Sequence, residues 1–71
     1  MDLLIFKTNI NTKKKAFVIQ TLLNNFDCIT DCSIDLQDID RVLRIESKIQ
    51  LNENKIINTL NQHGLLCEPL L

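Results

Sequence analysis

The amino-acid sequence predicts an α+β fold, a ferredoxin-like βαββαβ sandwich with a four-stranded antiparallel sheet and two helices on one face. Two segments carry apolar residues at helical spacing, and four shorter ones read as strands. They follow one another in the order β-α-β-β-α-β, and the right-handed crossover rule puts both helices on the same side of the sheet. A single Gly and a single Pro argue against disorder and against a loop-dominated fold.

Each element has its own signal. Leu3 to Asn9 reads as a strand, with Leu4, Phe6 and Thr8 on one face and Leu3, Ile5 and Lys7 on the other. A polar break follows, in which Asn11 and Thr12 are both N-cap candidates. Lys13 to Asn25 is predicted as a helix, because Ala16, Ile19, Leu22, Leu23 and Phe26 recur at steps of three and four. Ile29 to Leu36 alternates, setting Thr30, Cys32, Ile34 and Leu36 against Asp31, Ser33 and Asp35. Gln37 to Asp40 is a turn, and Arg41 to Ser47 is the partner strand of a hairpin. Asn52 caps the second helix, with Leu51 and Ile56 spaced as a hydrophobic staple. Ile56, Ile57 and Leu60 form its apolar stripe, and Gly64 stands where a left-handed C-terminal residue is wanted. Leu65 to Glu68 reads as a short last strand closed by Pro69.

Seventy-one residues suffice for one domain with a small core, so residues 1–71 read as a single unit. The formal charge of −1 argues against nucleic acid as a partner. The one strong local charge is Lys13-Lys14-Lys15. Three cysteines cannot all pair within the chain, which predicts reduced thiols and a cytoplasmic setting. The apolar run at Leu3 to Phe6 is too short for a signal sequence or a membrane span. There is no readable nucleophile–histidine–acid arrangement and no Gly-rich phosphate loop, so an enzyme is not expected.

Several stretches resemble one family. They are Phe6-Lys7-Thr8-Asn9-Ile10-Asn11, Ser33-Ile34-Asp35-Leu36, Arg41-Val42-Leu43-Arg44-Ile45, Ile56-Ile57 and His63-Gly64-Leu65. Together they resemble the heavy-metal-associated domain of small copper chaperones and metal-pumping ATPases, over nearly the whole chain. The resemblance implies a C-x-x-C pair in the loop before the first helix, where two thiolates hold a soft ion such as Cu(I) or Zn(II). The matching positions here hold Thr12, Lys13, Lys14 and Lys15, with Thr12 at the first cysteine position and Lys15 at the second. Neither is a thiolate, and ammonium groups oppose a cation. The resemblance therefore carries the fold and not the clamp. Lysines at a helix start suit either plain solvation or an anion.

Other donors are scattered. Cys28 and Cys32 form C-x3-C, and on a strand such residues lie roughly 13 Å apart. They read as structural thiols, with Cys32 in phase with Ile34 and Leu36. His63 and Cys67 supply two further donors without an evident third. Cys67, His63 and Cys28 are thus the candidate ligands for a residual Cu(I) or Zn(II) site, and no cofactor is otherwise expected. Asp35, Asp38 and Asp40 read as turn-forming aspartates. Leu3, Ile5 and Leu66 are expected to form an apolar patch on the open sheet face, a surface for a protein partner or a homodimer. The functional expectation is a non-enzymatic interaction or structural module of heavy-metal-associated type. The alternative is heavy-metal binding or transport through non-standard ligands.

Overall fold

The computed structural model describes residues 2–70. Strand β1 spans Asp2–Thr8, helix α1 Lys13–Asn24, β2 Ile29–Ile34, β3 Leu43–Ser47, α2 Glu53–Gln62 and β4 Cys67–Pro69. The strands form one sheet in the order β2-β3-β1-β4, and each neighbouring pair is antiparallel. This is the predicted ferredoxin-like βαββαβ arrangement.

The pattern of burial follows the pattern of the sequence. In β1, Leu4, Phe6 and Thr8 are buried, while Leu3 and Lys7 are exposed. Ala16, Ile19 and Leu23 bury the inner stripe of α1, and Ile56 and Leu60 that of α2. With Leu43 and Ile45 of β3 they form one apolar cluster, so both helices cover the same sheet face. Leu51 and Ile56 both join that cluster, as a staple requires.

The caps are formed as well. Thr12 Oγ1 accepts a hydrogen bond from Lys15 N at 3.1 Å, and Asn52 Oδ1 one from Asn54 N at 2.9 Å. At the end of α2, Leu65 N donates to Leu60 O and Gly64 N to Asn61 O, with Gly64 at φ 77°. That pair of bonds is a Schellman closure, and both Leu60 and Leu65 are buried.

The strands differ from expectation in detail: β1 runs Asp2–Thr8 rather than Leu3 to Asn9, and β2 ends at Ile34 rather than Leu36. A bulge between Ile29 and Asp31 leaves Thr30 outside the regular register. Ile29 and Cys32, three apart, therefore both pack against the core. β3 begins at Leu43 rather than Arg41, because Arg41 adopts φ 48°, a left-handed turn conformation. β4 begins at Cys67, since the Leu66 amide bonds to Asn9 Oδ1 at 2.9 Å instead of entering the ladder.

The expected patch of Leu3, Ile5 and Leu66 is not contiguous. Thr8 faces Cys67 and Phe6 faces Pro69, so Leu66 lies beyond the far end of β1 from Leu3. Six strand positions separate their levels, roughly 20 Å. The residue beside Ile5 is Leu70, whose N–H donates to Ile5 O at 3.0 Å. Leu3, half-buried Ile5 and Leu70 are thus the apolar residues at this end of the open face, and Arg44 and Glu46 stand opposite them on β3.

Candidate functional site at the loop end

The segment between β1 and α1 is held from several sides. Thr8 is buried at the end of β1; its Oγ1–H donates to Arg41 O at 2.6 Å, and the same oxygen accepts from Ile10 N at 3.2 Å. Thr8 N donates to Asp40 O at 3.0 Å. Asn9 reaches Leu66, and Ile10 is fully buried. The loop before α1, the turn between β2 and β3, and the connection from α2 to β4 therefore meet at one end of the molecule.

Out of this frame α1 begins with three exposed lysines and no acidic residue in its first turn. Lys15 Nζ reaches Asn11 Oδ1 at 3.3 Å. The lysine charges add to the positive end of the helix dipole. Thr12, at the position of the first expected thiolate, spends its side chain on the helix cap. Behind the lysines lies a groove of about 410 Å³, with Val18, Ile19 and Leu65 as its apolar lining and Lys14, Lys15 and His63 as its polar lining. His63 is exposed and its Nδ1–H donates to Thr59 O at 2.9 Å.

The three candidate metal donors do not converge. His63 lines the groove beside α1. Cys67 lines a different depression, with Lys7, Asn9 and Glu68. Cys28 lies in the α1–β2 turn, in a third depression with Phe26 and Lys55. Among the described residues, no group of three or more His, Cys, Asp or Glu side chains is placed to hold a metal ion. The cysteines are unpaired. Burial, reinforced by Glu68, pushes the Cys67 thiol up to about 12, and burial with Asp31 pushes Cys32 up to about 11. Both therefore resist becoming the thiolates that bind a soft ion.

Asp35 and Asp38 act as turn formers: Gln37 N donates to Asp35 Oδ1 and Asp40 N to Asp38 Oδ1. Asp40 lies 3.8 Å from Lys7 Nζ. Sequence reasoning overlooked two features here. Phe17 is 70% exposed on α1 with Val18 beside it, and Ile39 is 93% exposed at the tip of the β2–β3 turn. Phe17 falls outside the Ala16–Ile19–Leu23 stripe, and Ile39 is an apolar residue between two aspartates; both signals were present in the sequence.

No known family profile matches the sequence, and a comparison with characterised proteins finds no match. Solved structures do match. The yeast copper transporter domain Ccc2a, determined in apo and Cu(I)-loaded states, is 18% identical with a TM-score of 0.83, covering 99% of this chain and 96% of that one. In the Atx1–Cu(I)–Ccc2a complex the matching chain is 20% identical, with a TM-score of 0.84 over 97% of this chain and 94% of that one. The chain thus has the fold of copper-binding heavy-metal-associated domains, at an identity that speaks for fold alone. No helix among the described residues is long and apolar enough to cross a membrane.

Proposed function

We propose, from this shared fold, that the chain is a non-enzymatic module of heavy-metal handling that works by protein contact through its loop end. It does so without a thiolate clamp of its own. The observation that carries the reading is the occupation of the loop by Thr12-Lys13-Lys14-Lys15, with an apolar groove opening beside the lysines. A helix start bearing three ammonium groups repels a cation and suits a partner's acidic surface. A protein complex among the similar structures supports the same reading. Three unpaired thiols, two of them held protonated, support a reducing, cytoplasmic setting.

A second reading is direct carriage of Cu(I) or Zn(II) through Cys67, His63 or Cys28, completed by a partner's ligands. It is favoured by the Cu(I)-loaded state of a similar structure. Titration of the reduced chain with Cu(I) and Zn(II) against a competing chelator separates the two. Absence of binding above the competitor is the expected outcome. Binding of one equivalent that Cys67→Ser removes would establish metal carriage and overturn the clamp-free reading.

A further inference from the structure

Ile39 is the most exposed large apolar side chain among the described residues, and hydrogen bonds hold the residues on either side of it. Asp40 N donates to Asp38 Oδ1 at 2.8 Å, Arg41 N to Asp38 O at 3.1 Å, and Arg41 Nη1 to Leu36 O at 3.1 Å. Thr8 N ties Asp40 O to the end of the interior strand β1. The turn therefore presents an apolar knob flanked by two carboxylates and held by hydrogen bonds within the chain itself. Such pre-ordering removes part of the entropy loss on association.

The groove beside α1 has the complementary chemistry. It offers apolar surface from partly exposed Val18, over a floor of buried Ile19 and Leu65, and basic groups from Lys14 and Lys15 where the knob carries acids. Knob and groove open at the same end, since Asp40 is bonded to Thr8 and Leu66 to Asn9. We propose that Ile39 seats in this groove on a second copy of the chain, with Asp38 facing the lysines, and that the exchange is reciprocal. One knob and one groove at the same end allow two copies to close on each other by a two-fold axis. Only the loop ends meet, so the contact falls below the roughly 1,200 Å² typical of stable complexes, and the dimer is weak and salt-sensitive. The inference rests on the loop end being a docking surface and adds its occupant.

The test uses the reduced, metal-free, isotope-labelled chain, so its outcome is independent of the metal titration. Amide shifts are followed by NMR on dilution from about 1 mM to about 20 µM, the range of a weak contact. Concerted shifts at Ile39, Val18, Gly64 and Leu65 are expected, and about 0.5 M salt should suppress them. Ile39→Ser alone, or Lys14→Glu with Lys15→Glu, should each abolish them. All three side chains are exposed, so the fold tolerates the changes. Mixing the two variants should restore part of the shift, because one keeps the groove and the other the knob. Spectra that ignore concentration, shifts at Leu3, Ile5 and Leu70 instead, or a mixture that restores nothing would overturn the proposal. Such a failure, alongside absent metal binding, would leave docking to a different protein standing.

Discussion

A few side chains at the loop end each do more than one thing. Thr8 is a strand residue by position, yet its hydroxyl joins the β2–β3 turn to the loop before α1. Leaving either partner unsatisfied inside the fold would cost about 1–3 kcal/mol. The two protonated thiols make a testable contribution of their own. Cys67 and Cys32 hold their protons more tightly in the folded chain than the ordinary thiol value of 9.0. Their stabilising effect is complete below that value and is lost as pH rises through it toward 11 and 12, because the unfolded chain ionises first. The thermal midpoint of the reduced protein is therefore expected to fall between about pH 9 and pH 11. A Cys67→Ala variant should show a shallower decline. An identical slope in the variant would show that other groups carry the pH dependence.

Elements were legible in the sequence to the extent that their signals are local. Both helices, a first cap at Asn11 or Thr12, the cap at Asn52 and the Gly64 terminator follow from spacing and residue type, and the structure selects Thr12. Signals that depend on a neighbouring strand were not legible. The Thr30 bulge adds a residue and shifts the phase of β2, which an alternation pattern cannot reveal by itself. Likewise, the choice of Leu70 over Leu66 as the neighbour of Ile5 depends on the β1–β4 register. The same holds for the candidate site. The lysines could be read from the chain, but the groove needs α1 and the α2–β4 connection side by side. At Gly64 the local signal yields a prediction. A methyl group there meets no atom within 4 Å, so the Gly64→Ala penalty is purely conformational. It should be about 1 kcal/mol by urea unfolding, the left-handed backbone cost for a residue with a Cβ. A much larger loss would mean that the substitution also breaks the Leu65–Leu60 closure.

At the scale of the whole molecule, one small core joins the sheet to both helices. Ile45 is fully buried and sits between Leu4 on β1 and Cys32 on β2. Ile45→Ala should cost about 2–5 kcal/mol, a large share of the roughly 4–11 kcal/mol expected for a chain of this length. Circular dichroism under heating should show a steep fall in the midpoint; a change of only a degree or two would mean the site collapses around the smaller side chain. The strand order has a further consequence. β1 precedes β3 and β4 in the chain and lies between them in the sheet. While the ribosome is still at work, its apolar face and both rows of peptide groups have no place in the sheet. One edge is covered only when residues 43–47 emerge, and the other only when residues 67–69 follow. Until both partners have been made, β1 keeps at least one row of unpaired peptide groups, so a holding chaperone has its natural target in residues 2–8.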